Sequence, residues 1–191
     1  MVKIIRIGSA AALLLAAAAV AAVVVEEDFE AAKFPPTGWQ IEQSRGIWTR
    51  EHVGEPYNWC AYFYSYGLAG GSGVLRTTGQ DIQAGDYRVT FAYSYRITGG
   101  AGGTTAYVRV QRQIGTSWQL IAAQLLPLSS SFRAFSLGHS ADAAGTYRLL
   151  FEAEAEGTRA IYFRVDNVKW ETAPSSGVTP ASLGSVKALY Y

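Results

Sequence analysis

The chain has 191 residues, of which 16 are Lys or Arg and 15 are Asp or Glu, for a formal net charge of +1. No basic stripe or acidic block interrupts this balance, so we expect no nucleic-acid partner. Cys60 is the only cysteine, which excludes an intramolecular disulfide. Stability must therefore come from a hydrophobic core, and roughly 170 residues outside the N-terminal segment are enough for one domain.

The N-terminus has the layout of a secretory signal. Lys3 and Arg6 precede an apolar run over residues 7–25 that is rich in alanine. We predict a signal peptide over residues 1–22, cleaved after Ala21 or Ala22, and a product that is secreted to the extracellular space or the cell surface with no membrane span in its mature form. The alternative is an uncleaved anchor, because about 18 apolar residues can just span a bilayer.

Apolar and polar residues alternate with a period of two through most of the chain. The clearest segments are residues 85–97, 105–114, 146–156 and 160–170, which are rich in β-branched and aromatic residues. Shorter strands are predicted for residues 24–30, 39–43, 47–51, 61–65, 74–77, 118–123 and 132–137, with Gly-rich and Pro-rich turns between them. This pattern predicts an all-β fold over residues 23–171, an antiparallel two-sheet jelly-roll sandwich of about eleven short strands.

After the last predicted strand the composition changes. Residues 172–180 read as a flexible linker rich in Ser, Thr, Pro and Gly. Residues 181–191 form a short apolar tail, with Leu183, Val186, Leu189 and Tyr190 at roughly helical spacing. We interpret this tail as a sorting or attachment element, with plain disorder as the alternative.

Several segments together resemble one known family. The opening "EEDFEAAKFPPTGW" (26–39), the middle "VLRTTGQDIQAGDYRVTFAYSYR" (74–96) and the finish "YRLLFEAEAEGTRAIYFRVDNVKW" (147–170) look like the choice-of-anchor J domain, a relative of MAM domains and of cleaved-adhesin domains. The resemblance implies a jelly-roll sandwich on exported proteins, with binding or adhesion roles and often a structural calcium ion. It does not imply catalysis.

Acidic residues stand near both ends of the predicted domain. Glu27, Asp28 and Glu30 lie in the first predicted strand, and Asp166 with Asn167 interrupts the alternation of the last. First and last strands of a jelly roll commonly lie side by side, and calcium takes six to eight oxygen ligands. We therefore predict a calcium site here. The alternative is a solvated strand face opposite a bulge or turn.

The aromatic run that begins the fourth predicted strand is the candidate ligand-binding surface. Tyr57, Trp59, Tyr62 and Tyr64 are predicted to bind a glycan, since the alternation requires one set of side chains to face away from the core. The alternative is that these rings simply fill the core. Cys60, within the same run, is predicted to be a small buried residue.

Enzyme chemistry has little support in the sequence. His52 and His139 are the only histidines, and both lie in or near predicted turns, so we predict a protein that is not an enzyme. The favoured function is a secreted surface module for binding or adhesion to a surface glycan or protein. One alternative is self-assembly into an extracellular filament or surface layer by strand or tail exchange, and another is an accessory carbohydrate-binding module.

Overall fold

The structure, a computed structural model, describes residues 21–65 and 70–173. It contains twelve strands in these residues: β1 (Val23–Glu27), β2 (Trp39–Ser44), β3 (Gly46–His52), β4 (Trp59–Ser65), β5 (Gly71–Thr77), β6 (Gln80–Ile82), β7 (Gly85–Gly99), β8 (Thr104–Ile114), β9 (Ser117–Leu125), β10 (Ser129–Ala141), β11 (Gly145–Ala155) and β12 (Arg159–Thr172). The predicted signal peptide up to residue 20 and the tail residues Leu183, Val186, Leu189 and Tyr190 lie outside the described residues.

The strands form two antiparallel sheets that face each other. Sheet A has the order β10-β7-β12-β4-β3, with β1 also pairing with β12. Sheet B has the order β2-β5-β11-β8-β9, with β6 also pairing with β11. The predicted all-β jelly-roll sandwich is thus confirmed. The strand count is twelve rather than about eleven, since the three-residue β6 has too short a pattern to detect, and β7 and β12 reach 15 and 14 residues.

Alternation along each strand fills the space between the sheets. In β12, Ile161, Phe163 and Val165 are fully buried, while the intervening Tyr162 and Arg164 face away from the core. Burial of such apolar side chains is the main stabilising contribution to the sandwich. The largest fully buried side chains come from both sheets and from the connection after β1: Trp170, Tyr93, Tyr147, Phe29, Phe63, Phe151 and Phe163.

The first strand ends earlier than the sequence predicts. A strand through Glu30 is wrong, because β1 ends at Glu27 and the chain turns at Phe29, whose φ is 56°. The Glu27 carboxylate accepts a hydrogen bond from the Phe29 N–H at 2.8 Å, and this bond supports the turn. The turn directs the Phe29 ring into the core, where it packs on Trp39 with 5.8 Å between ring centroids.

No helix in residues 21–65 and 70–173 is long and apolar enough to cross a membrane.

Candidate functional sites

The predicted calcium residues come together where β1 meets β12. Glu27 pairs with Val168 in the ladder between the two strands, one residue beyond Asn167. Beyond β1, Asp28 Oδ1 accepts the Glu30 N–H at 3.1 Å, and Glu30 Oε1 accepts the Trp59 N–H at 3.0 Å. The acidic segment is therefore held between the end of β1 and the start of β4.

Asp166 is the buried member of this cluster. Its side chain is 2 % exposed, Oδ2 accepts a hydrogen bond from Asn167 Nδ2 at 3.1 Å, and Oδ1 is buried with no hydrogen-bond partner. Burial, together with the charges of Glu30, Asp28 and Glu27, raises the pKa of Asp166 to about 7 against a lowering hydrogen bond from the Asn167 backbone. A buried carboxyl oxygen without a partner, under the influence of three further carboxylates, is an arrangement that a bound cation would stabilise.

A bulge in β12 creates this arrangement. The register against β7 shifts between Asp166 and Lys169, and Asn167 has a φ of 50°. A cleft of about 510 Å³ opens beside the bulge and is lined by Glu26, Glu27, Asp28, Thr90, Asn167, Val168 and Lys169. Among the described residues, no three His, Cys, Asp or Glu side chains converge closely enough to hold a metal by themselves, so an ion here would also need amide or backbone oxygens.

The four predicted ligand-binding aromatics do not share one surface. Tyr57 lies in the β3–β4 connection, where its ring stacks on Phe132 with 4.2 Å between centroids. Trp59 begins β4 and packs under the Arg50 guanidinium at 4.0 Å. Tyr62 and Tyr64 alone lie side by side on the outer face of sheet A, with 5.3 Å between their ring centroids and 23° between their planes.

The sequence-based interpretation missed the neighbours of Tyr62. Tyr162 of β12 stacks on Tyr62 at 6.4 Å, Arg164 lies over the Tyr62 ring at 4.8 Å, and Arg96 lies over the Tyr162 ring at 4.5 Å. We call Tyr62, Tyr64 and Tyr162 the tyrosine row. Faces of the Tyr62 and Tyr162 rings are thus occupied by neighbouring side chains. The alternation in β12 already placed Tyr162 and Arg164 outward, and that signal could have identified them.

Part of the outer face of sheet A is covered by other segments of the chain. Cys60, Ala92 and Asp166 point outward from their strands yet are at most 6 % exposed. The β3–β4 connection contributes Tyr57 to a groove of about 480 Å³ whose other lining residues belong mainly to β7 and β10. This end of sheet A is therefore packed against loops.

Sheet B presents a second outer face, which the sequence did not reveal as a unit. We define the sheet B polar face as Gln40, Glu42, Arg76, Tyr107, Arg109, Gln111, Trp118, Arg148 and Glu152. Its members come from β2, β5, β8, β9 and β11, and on β5, β8 and β11 they lie next to buried residues. Leu120 and Leu125, on β9, remain 50 % and 48 % exposed.

Contacts within the sheet B polar face fix its side chains in place. The Arg148 guanidinium lies over the Trp118 ring at 4.0 Å, and its Nε donates to Gln111 Oε1 at 2.8 Å. Arg109 pairs with Glu152 at 3.0 Å and lies over the Tyr107 ring at 4.5 Å. The face therefore combines planar hydrogen-bonding groups with two aromatic rings on strands of a rigid sheet.

One histidine is buried and the other is exposed at the end of β3. His139 is 9 % exposed, and its Nε2 accepts a hydrogen bond from the Trp170 indole N–H at 3.0 Å. His52 packs edge-on against Trp59 with 5.1 Å between ring centroids.

The sandwich is similar to solved structures of carbohydrate-binding modules. TmCBM61, solved in complex with β-1,4-galactotriose, aligns with a TM-score of 0.53 and 14 % identity over 77 % of this chain and 95 % of its own. The CBM22-1 xylan-binding domain from Paenibacillus barcinonensis Xyn10C aligns with a TM-score of 0.54 and 12 % identity over 84 % of this chain and 100 % of its own. At these identities the likeness establishes the fold.

A cleaved-adhesin domain shares the same sandwich. The K1 cleaved adhesin domain of Lys-gingipain from Porphyromonas gingivalis W83 aligns with a TM-score of 0.50 and 14 % identity over 78 % of this chain and 98 % of its own. No protein family model matches the sequence, and no curated protein matches it. The jelly-roll part of the predicted resemblance is therefore supported, while membership of the choice-of-anchor J family stays a prediction.

Proposed function

We propose that this chain is an exported, non-catalytic carbohydrate-binding module that recognises its glycan on the sheet B polar face. The observation that carries the proposal is the pairing of Trp118 and Arg148 beside Gln111 on the outer face of sheet B. Support also comes from the fold, which is shared with modules whose names record binding of galactotriose and xylan. Fold alone does not assign a ligand, so the chemistry of the face carries the argument.

Sugars need two kinds of contact, and this face offers both. Their hydroxyl groups are bound by planar side chains that donate or accept two hydrogen bonds, and their C–H faces pack on aromatic rings. Arg109, Gln111, Arg148 and Glu152 supply the planar groups. Since these side chains are already held by each other, they lose little conformational entropy when a ligand binds.

The tyrosine row of sheet A is less suited to this task. The Tyr62 ring is contacted by Tyr64, Tyr162 and Arg164, and the Tyr162 ring by Tyr62 and Arg96, so each ring has at least two neighbours within the protein. On the sheet B polar face, Arg148 lies over Trp118 and Arg109 over Tyr107, and one guanidinium covers one face of a ring. Burial also raises the pKa of Tyr62 to about 12, which is the behaviour of a packed phenol. We assign the row a role in stabilising sheet A.

Calcium fits the acidic cluster as a structural ion. We propose that Asp166 Oδ1, the Asn167 amide oxygen and carboxylates from Glu27, Asp28 and Glu30 hold the ion together with backbone carbonyls. The fit rests on the orphaned Asp166 Oδ1 and on the carboxylates that raise its pKa. Such an ion would join β1 to the β12 bulge and would neutralise charge that is otherwise buried. The Asp166 carboxylate would contribute an anionic oxygen, and Asn167 a neutral one.

The glycan site is tested with paired variants. The wild-type protein, Trp118→Ala and Tyr162→Ala are screened on a glycan array, and the best ligand is titrated calorimetrically. Trp118→Ala should weaken binding about tenfold or more, which is ~1.4 kcal/mol, because it removes the ring that sits under Arg148. Tyr162→Ala should leave the affinity unchanged. Equal loss in both variants, or loss only in Tyr162→Ala, would place the ligand elsewhere, and no glycan bound by the wild type would refute the function.

A further inference from the structure

The free edge of sheet B is formed by β9. In the described residues β9 pairs with β8 alone, and six of its nine residues are exposed. Backbone N–H and C=O groups on the outer side of such a strand have no ladder partner. An edge of this kind is a template for another strand.

The sequence around β9 carries no charge. From Gln113 through Phe132 there is no Asp, Glu, Lys or Arg. The same stretch holds four of the six large apolar side chains that are exposed in the described residues: Ile114, Leu120, Leu125 and Leu128. Apolar exposure is therefore concentrated along this one edge, and such concentration marks an interaction surface.

In the described residues, the five other strands that pair with a single neighbour all carry charge. β1 carries Glu26 and Glu27, β2 carries Glu42, β3 carries Arg50 and Glu51, β6 carries Asp81, and β10 carries Arg133. Charged side chains on an edge strand oppose pairing with a second sheet. Because β9 alone lacks them among these edges, the difference is specific to one strand rather than a property of the whole surface.

We propose that β9 pairs antiparallel with β9 of a second copy of this chain, around a two-fold axis. A two-fold interface brings each residue against the same surface of its partner, so like charges would repel. The uncharged stretch avoids this, and it also offers no complement to a charged partner strand. The net charge, +1 for the chain and −1 without Lys3 and Arg6 (14 basic, 15 acidic), does not oppose self-association either.

The register of β9 indicates which half makes the contact. Ile121 is left unpaired at a shift between the Val110–Ala122 and Gln111–Leu120 pairs, and such a shift bends the strand. Residues 122–125 form the half of β9 that follows this shift. Ala123 and Leu125 are exposed in this half, and Leu128 is exposed just beyond it. The pairing is centred on this half.

A pair of this kind would have a consequence for the proposed function. Antiparallel pairing about an axis perpendicular to the sheet continues sheet B from one copy into the next, with both outer faces on the same side. If the sheet B polar face binds glycan, the two sites act together on one polymer and gain avidity. The pairing itself does not depend on glycan binding, so each can fail without the other.

The experiment compares two alanines that are both exposed on edge strands. Ala123→Lys places a charge on β9 and Ala134→Lys places the same charge on β10, at the edge of sheet A. The full chain, purified after export, is measured without sugar by size-exclusion chromatography with light scattering across a concentration series. The wild type and Ala134→Lys should show a mass twice that of the monomer, with dissociation constants within about twofold of each other. Ala123→Lys should raise the dissociation constant at least about tenfold, since each copy adds a cation to one short interface.

Hydrogen exchange is the second measurement. It distinguishes the loss of the interface from misfolding of the variant. Amides of residues 117–125 in the wild type should become more protected as the concentration rises, while those of the other edge strands should not. Ala123→Lys should lose this concentration dependence while the amides of β7 and β12 stay as protected as in the wild type, which shows that the sandwich is still folded. A wild type that stays monomeric, a dimer that both variants weaken equally, or larger assemblies that persist in Ala123→Lys would overturn the proposal.

Discussion

Trp170 donates its indole N–H to Nε2 of His139, 3.0 Å away, in the interior of the sandwich. The His139 ring also stacks on Tyr87 with 5.6 Å between centroids, and its Nδ1 is buried without a partner. Burial lowers the pKa of His139, although the Ser140 backbone and Asp86 each raise this pKa by a smaller amount. His139 is therefore neutral in the fold, with Nε2 as the acceptor.

This bond predicts a loss of stability in mild acid. The folded pKa of His139 lies below its ordinary value of about 6.5, so the unfolded chain takes up the proton first. The contribution of His139 is complete above about pH 6.5 and is lost as the pH falls toward the folded pKa. In an Asp166→Asn background, the melting temperature should fall between pH 7 and pH 5, and adding His139→Gln should flatten the slope. An unchanged slope would show that His139 does not titrate.

When calcium is absent, the titration of Asp166 should change stability with pH in the opposite direction to that of His139. Its folded pKa of about 7 lies above the ordinary 3.8, so the folded protein binds the proton more tightly than the unfolded chain does. Stability from this group therefore rises as the pH falls from about 7 toward 4. In EGTA, the melting temperature of Asp166→Asn should exceed that of the wild type at pH 8, and the difference should shrink by pH 5. A variant less stable than the wild type at pH 8 would contradict this.

Calcium should stabilise the wild-type fold. A ligand that binds the native state alone adds about 2.7 kcal/mol at one hundred times its dissociation constant. Millimolar calcium should raise the melting temperature of the wild type and of Asp142→Asn, an exposed carboxylate outside the cluster, but not that of Asp166→Asn. Calorimetric titration should give one ion per chain. If Asp142→Asn lost the response as well, the effect would be one of general charge screening.

Cys60 should be chemically inert in the folded protein. It is fully buried, and burial raises the pKa of its thiol to about 12, so almost no thiolate forms near neutral pH. Ellman's reagent at pH 8 should label less than one tenth of the native protein in the time that labels it fully in urea. Rapid labelling without denaturant would mean that the cover over this part of sheet A opens readily.

Phe63 should make the core intolerant of a side chain at Gly73. A Cβ on Gly73 would lie 2.7 Å from Phe63 Cδ2 and 2.8 Å from Trp48 Nε1, whereas one on Gly138 would meet nothing within 4 Å. Overpacking of this kind typically costs about 1–3 kcal/mol. Urea unfolding should therefore show a clear loss of stability for Gly73→Ala and a small change for Gly138→Ala. Similar midpoints for both would show that the Phe63 ring can move aside.

The sequence alone determined the fold class because the alternation of apolar and polar residues within each strand shows which side chains face the core. Ile161 and Phe163 alternate with Tyr162 and Arg164, and this pattern needs no knowledge of other strands. The sequence also predicted that Asp166 lies near Glu27, Asp28 and Glu30, because this requires only that the first and last strands be neighbours. The turn at Phe29 was missed because a positive φ at a non-glycine residue has no local signal in this segment.

Tertiary structure decided which outward side chains are available for binding. Gln111 and Trp118 lie on the two strands of the β8–β9 hairpin, but Arg148 comes from β11, and only the order β11-β8-β9 makes the three neighbours. Likewise, alternation placed Tyr62 outward, but the Arg164 and Tyr162 contacts that occupy its ring come from another strand. The alternation of apolar and polar residues along a strand shows only that a given residue faces away from the core. What lies over that residue depends on contacts between distant segments, and these set the free energy of its burial.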